Sequence, residues 1–330
     1  ATLGVVSESV ARPLKVRVEQ VLLSGPNPVL AFWLSQLLGF YLDTVGALLP
    51  ADGALVQALQ GGRSMALRLC FEQFKQRGEK LARYPPPPPT DLSPPPAAVE
   101  AAQQAVELIL CLEGGVQSAE THEGDAVRAA LLPIALVCER SSEALDPHAL
   151  TRVDEGGHLD PAGRRVYMLN CLSTLMAPLE GHAVAEGISA ELGAMVEEHI
   201  RCLVEESRGR VLALCGLAEV AARVQFFKVE GASGGERAAD QAGLDLSSVA
   251  KALRSFFGRV SDADALPTFG KLLAAPIKQD VTQRLLRELA AAYTDVYDLL
   301  HAPEGGYDGG EVAAVVRHSP DQIRTLLGVA

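Results

Sequence analysis

The sequence predicts an all-α fold, an elongated helical rod of stacked helix bundles, on three observations. Apolar residues recur three or four apart through most of the 330 residues, which is the helical period. Aromatics make up only 5% and Trp33 is the single tryptophan, so Leu, Val and Ala must supply the packing. Strands enrich β-branched and aromatic residues instead. The longest stripe, Val196, Ile200, Leu203, Ser207, Val211, Leu214, Ala218 and Ala221, implies a helix about 40 Å long at 1.5 Å per residue. Such a length suits a rod more than a compact globule.

Composition narrows the function classes. The chain is 48% apolar and 21% charged, enough for a folded core. Its 41 acidic and 29 basic residues leave a net charge of −12, which excludes the chain as a whole from nucleic-acid binding. Six cysteines are scattered without a CxxC pair, and no secretory segment is present, so the sequence reads as a reduced, cytosolic protein. Ala1 rather than Met stands first, and the expectation is a piece of a longer chain.

Residues 1–84 are expected to form a helical bundle, the N-terminal part of the rod. Val21 to Leu42 is a run of 22 uncharged residues, about the length of a membrane span. Ser24-Gly25-Pro26-Asn27-Pro28 interrupts it, and the remainder predicts a buried helix. There Leu30, Leu34, Leu37, Tyr41, Val45 and Leu48 form one stripe, and Phe32 and Leu38 make the helix apolar nearly all round. Leu67, Cys70, Phe71, Phe74 and Leu81 mark a second helix.

Residues 85–96 hold eight prolines in twelve positions, which neither a helix nor a ladder strand tolerates. An extended polyproline linker or loop is expected, with a PxxP docking site as the functional alternative. Residues 97–229 form the next bundle: a helix over Val99 to Leu112, a loop over 113–125, and helical stretches with Pro133 and Pro147 as kinks or stops. Val166 to Leu179 resumes the helical period before the long stripe. Residues 230–243 read as a disordered Gly-rich loop. In the last bundle, 244–330, helices are expected over Leu246 to Val260, Ala263 to Ala274 and Ile277 to Leu300. Leu285, Leu289, Tyr293, Val296 and Leu300 share one face of the third. Ser319 as N-cap, Pro320 at the first helical position and Gln322 three residues past the cap open a final helix.

Catalytic signatures are weak. Gly231-Ala232-Ser233-Gly234-Gly235 fits G-x-S-x-G, with Val224 to Val229 as a candidate strand before it. Asp262, Asp264 or Asp280, then His301 or His318, follow in triad order and make a serine hydrolase with Ser233 the enzymatic alternative. The elbow needs a parallel sheet, and everything before residue 224 reads helical. Glu197-Glu198-His199-x-x-Cys202 places ligand types within a helical turn, but zinc needs a second cluster. His158 reads as a solvated loop residue. No P-loop, dinucleotide fingerprint, HExxH or EF-hand is present, so no cofactor, metal or small-molecule substrate is expected.

Charge distribution says more. Residues 1–84 carry nine basic and six acidic residues, against twenty and thirty-five in the rest. Arg63, Arg68, Lys75, Arg77, Lys80 and Arg83 fall within 21 residues and form a candidate contact helix for an acidic partner or anionic headgroups. A solvated face of i, i+4 pairs explains the same letters.

Several blocks resemble a known family. Arg12-Pro13-Leu14-Lys15-Val16-Arg17-Val18-Glu19-Gln20-Val21, then Tyr167-Met168-Leu169-Asn170, then Glu198-His199-Ile200 are similar to segments of the sixth subunit of the conserved oligomeric Golgi (COG) tethering complex. The tail agrees best, in Ala292-Tyr293-Thr294-Asp295-Val296-Tyr297 and His318-Ser319-Pro320-Asp321-Gln322. The blocks keep the family's order and resemble roughly its C-terminal half. The polyproline and Gly-rich inserts depart from it. The resemblance implies a non-enzymatic peripheral protein on the cytosolic side of the Golgi membrane, acting in intra-Golgi retrograde transport and retention of glycosylation enzymes. Its implied partners are the other subunits of the second lobe, Golgi SNAREs and Rab GTPases. A helical scaffold of another tether, such as exocyst, is the nearest alternative.

Overall fold

The computed structural model describes residues 2–114, 123–143, 145, 163–230, 237–262 and 265–329. Among them there are twelve α-helices, short 3₁₀ turns and no strand, so the fold is all-α. The chain divides into two compact units. One comprises Ala1–Ala144 and Asn170–Val196, the other Leu145–Leu169 and Glu197–Ala330.

The first unit is built on α1 (Thr2–Leu23), α2 (Pro28–Gly46), α3 (Ala54–Arg83), α4 (Pro96–Gly114) and α5 (Glu123–Ser142). Val18 and Leu22 of α1, Leu38 of α2, and Leu59 and Ala66 of α3 make one apolar cluster, joined by the half-buried Leu14, Leu34 and Leu42. Asn27 caps α2, its Oδ1 accepting the Leu30 N–H at 2.7 Å, and Pro28 fits the first turn. On α4 the inward positions are Ala98, Ala101, Ala105, Leu108 and Ile109, spaced to one face, the first three of them small. Pro133 neither stops α5 nor divides it; the helix continues through it. Pro147 and the 115–122 part of the expected loop lie outside the described residues.

The proline-rich stretch is anchored where it lacks proline. The Leu92 N–H donates to the Pro89 carbonyl, closing a turn. Leu92 is buried with φ at +60, a conformation that costs a leucine about 1–2 kcal/mol. Its carbonyl accepts the Asn170 Nδ2 at 2.9 Å, and Asn170 is itself buried. That bond leads the buried amide of the 167–170 block to a backbone acceptor, as its burial requires.

The second unit takes in the start of α6 (Gly163–Met176), the main part of α7 (Glu186–Leu214), α8 (Leu217–Glu230), α9 (Leu246–Val260), α10 (Ala275–His301), α11 (Gly309–Val315) and α12 (Pro320–Leu327). The long stripe is not one helix. It ends at Leu214, and Gly216 in the left-handed region (φ +70) turns the chain before Ala218 and Ala221 resume in α8. The helix gains its length at the other end: 29 residues from Glu186 give about 43 Å. Residues 263–274 were expected to be helical; the described ones are irregular, around Pro267 and a buried Phe269 with φ +50. Leu246–Val260 and the final helix form as expected, the latter with a complete capping box between Ser319 and Gln322. On α10, Leu285, Leu289, Tyr293, Val296 and Leu300 are all buried.

Candidate interaction surfaces

Two faces of the first unit stand out. The inner face of α2 is Ala31, Phe32, Ser35, Leu38 and Gly39, small enough overall to bring α3 close. Phe32 is 1% exposed and Leu38 4%. The Ser35 hydroxyl donates to the Phe32 carbonyl at 2.6 Å, so no polar group is stranded there. The expected burial of the whole helix is therefore corrected. Leu30, Trp33, Phe40, Tyr41 and Leu48 point outward, with Trp33 half exposed at 50% and Leu48 at 72%. The rings of Phe40 and Tyr41 meet edge to face at 5.5 Å. A helix apolar all round has no unique inner face, and small residues decided which side α3 could approach. By length and composition α2 could also cross a membrane, but its inner face belongs to the α1–α3 core.

The second face is the basic one of α3, and its six cations separate into two groups. Arg77 turns to α4, pairing with Glu100 at 2.8 Å and donating to Gln104 Oε1 at 2.7 Å. Arg63 is half buried, with its guanidinium over Gly39. Arg68, Lys75, Lys80 and Arg83 are exposed, Lys75 within 4.0 Å of Glu79. Arg140 of α5 joins this end by donating to the Ala82 carbonyl at 3.2 Å. It neutralises an open carbonyl of the last turn, where Lys80 and Arg83 also complement the helix dipole. Sequence proximity could not have found Arg140, which is 58 residues away.

The catalytic and metal readings meet other partners. Val224 to Val229, the strand expected before Ser233, lies within α8 and is helical, so the strand that a nucleophile elbow needs is replaced by a helix. Ser233 itself, Asp264 and His158 lie outside the described residues. His301 stacks on Tyr297 at 4.0 Å and His318 on Phe257 at 4.2 Å, while Asp280 pairs with Arg284. Glu198 is held by Arg201 at 2.7 and 3.1 Å, and these bonds with Cys202 hold its carboxyl low, at about 2. His199 is buried at 8% exposure, its Nδ1 3.4 Å from Arg165 Nη1. Burial, then Arg165 and Arg164, pushes its imidazole down to about 4. Among the described residues no three His, Cys, Asp or Glu side chains are placed to hold a metal ion.

An all-α chain whose would-be ligands Glu197 and Glu198 are paired with arginines is, by its fold, a helical scaffold. The sequence model of the family "Conserved Oligomeric Golgi complex subunit 6, C-terminal" matches residues 1–327. Among curated relatives, the chain is 32% identical over 349 residues to the Arabidopsis thaliana conserved oligomeric Golgi complex subunit 6, covering 98% of this chain and 50% of the relative. It is 26% identical over 327 residues to the subunit of Bos taurus and 24% over 333 residues to that of Dictyostelium discoideum, covering 98% and 97% of this chain and 47% and 46% of those relatives. No solved structure matches. The chain belongs to the family of COG complex subunit 6, and it spans about half the length of the curated relatives it matches.

Proposed function

We propose that this chain serves a Golgi vesicle tether by binding proteins rather than by catalysis. In that reading it joins other subunits of the complex's second lobe, engages Golgi SNAREs and Rab GTPases, and sits peripherally on the cytosolic face. It thereby contributes to intra-Golgi retrograde transport and the retention of glycosylation enzymes. Membership of the subunit 6 family supports the role, and the outward stripe of α2 supplies a suitable surface. Rigid aromatic side chains aligned on one helix face are what a partner helix buries at the centre of an interface.

The basic face of α3 is a second contact, for an acidic partner or anionic headgroups, carried by Arg68, Lys75, Lys80 and Arg83. Arg63 and Arg77 hold it in position.

Residues 1–330 used as bait in a cytosolic and Golgi extract at moderate salt test the reading by mass spectrometry. Recovery of lobe subunits, lost when Trp33, Phe40 and Tyr41 are replaced by Ser without loss of helicity, is the expected result. Recovery that survives this change moves subunit binding away from α2. Recovery of no subunit, SNARE or Rab by a folded bait overturns the proposal.

A further inference from the structure

Within the second unit, α9, α10 and the chain leaving α11 line a half-open pocket of about 250 Å³. Leu253, Phe257 and Val316 give it apolar walls. Arg254, Arg317 and His318 stand among them, and among the described residues no carboxylate lines it. That is against the trend of the sequence, since residues 85–330 carry thirty-five acidic and twenty basic residues. The wall is built rather than loose. Tyr293 donates its hydroxyl to the His318 carbonyl at 2.6 Å, and the His318 ring lies flat on Phe257, 6° from parallel. The capping box at Ser319 fixes the turn that follows.

Size and charge together specify an occupant. Small-molecule sites usually run to about 300–1,000 Å³ with most of the ligand enclosed. A smaller pocket suits one or two side chains of a peptide. Arginine is charged at every working pH and its fork matches a carboxylate. We infer that this cavity is a docking site for a partner protein's peptide that inserts a large apolar side chain and sets neighbouring carboxylates against Arg254 and Arg317. A membrane surface fits less well, because headgroups and acyl chains meet a convex apolar face ringed by cations rather than a recess. The inference does not rest on the tethering role.

Fluorescence anisotropy of residues 1–330 with a labelled twelve-residue peptide, Leu-Phe flanked on both sides by Asp and Glu, provides the test. Two controls carry Lys for the acids or Ser-Ser for Leu-Phe. The acidic apolar peptide is expected to bind at least about tenfold more tightly than either control, and more weakly as salt screens the pairs. Arg254→Glu with Arg317→Glu, both exposed positions, should weaken it about tenfold or more at unchanged melting temperature. Ala314→Trp, which fills the mouth, should do the same by volume rather than charge. Binding within twofold of wild type in both variants would overturn the site. So would no peptide binding up to about 1 mM, or binding of phosphatidylserine vesicles, abolished by the same variants, in place of the peptide.

Discussion

Where α3 crosses α5, Gly78 lies so near Pro133 that an added Cβ would stand 2.5 Å from the proline's own. Where α9 meets α10, by contrast, Phe256 and Tyr293 stack with ring centroids 5.9 Å apart. The first unit sets small residues, among them Ala66, Ala98, Ala101 and Ala105 at 0% exposure, beside large ones such as Phe32, Leu108 and Leu131. The second likewise buries large side chains, Tyr167, Phe256 and Phe269 among them, and carries ion pairs around them. Arg165 meets Glu206 at 3.1 Å, Arg208 meets Glu288 at 3.6 Å, and Arg284 joins Glu197 and Asp280. These pairs are partly exposed, and each contributes about 0–1 kcal/mol. Both units therefore rest on large buried apolar groups, and what distinguishes the first is the α3–α5 seam, where a glycine lets two helices close on each other. A charge placed in the core should break the second unit, whereas the first has in addition a seam sensitive to added volume.

The largest effect expected is in the second unit. Leu203 of α7 has no exposure, with Ile200, Val204 and Val211 also buried on that helix. Leu203→Asp places an unpaired carboxylate there and should cost more than about 4 kcal/mol. Circular dichroism and thermal melting read it. Full helicity at an unchanged melting temperature would remove α7 from the core.

Glycines test the volume argument more finely. Gly78→Ala should destabilise by about 1–3 kcal/mol, since the displaced atom is part of a proline ring inside a helix. Gly61, on the same α3, and Gly209 on α7 have nothing within 4 Å of a would-be Cβ. Alanine at either should stabilise by about 0.4–1 kcal/mol through helix propensity. Urea denaturation of the three variants separates the cases. A stabilising Gly78→Ala would mean that α5 gives way, and the contrast between the units would fail.

Much of this was legible in the sequence, for local reasons. The period of 3.6 marks a helix whatever it packs against, and Ser319, Pro320 and Gln322 specify a helix start within four residues. Other features needed tertiary information. The stripe crossing Gly216 looks continuous in sequence, but Leu214 is exposed and, beyond the glycine's positive φ, α8 buries Leu217, Val220 and Val224 rather than Ala218 and Ala221. Residues 263–274 mimic a helix through Leu266, Phe269, Leu272 and Leu273, against the signal of Pro267. On α2 the apolar letters surround the helix, so the outward side was set by α3's need for Ser35 and Gly39. The cationic hollow joins residues 250–257, 293 and 314–318, a grouping that no periodicity reveals.

An intermediate effect, confined to the second unit, concerns pH. His199 takes a proton near 6.5 when unfolded and at about 4 in the fold, where burial and two arginines oppose the charge. Between those values the unfolded chain binds more protons, so stability is full above about pH 6.5 and declines as pH falls towards 4. The loss should reach on the order of 2 kcal/mol. His199→Gln should flatten that slope between pH 6.5 and 5, as followed by denaturant midpoints in matched buffers. An unchanged slope would place the acid sensitivity elsewhere.

The smallest stability effect belongs to the first unit's outward cations, and here the contrast is within one helix. Arg77 is bound to Glu100 and Gln104, so Arg77→Glu sets like charges together and should cost about 1–2 kcal/mol. Arg68→Glu, Lys75→Glu and Lys80→Glu change exposed positions, and each should alter stability by less than about 0.5 kcal/mol. If the outward face is a contact surface, the triple variant should nevertheless lose binding to anionic liposomes or to acidic partners recovered by the wild type. Unchanged binding would leave those cations as solvation and helix-dipole complements, with α2 carrying the first unit's recognition alone.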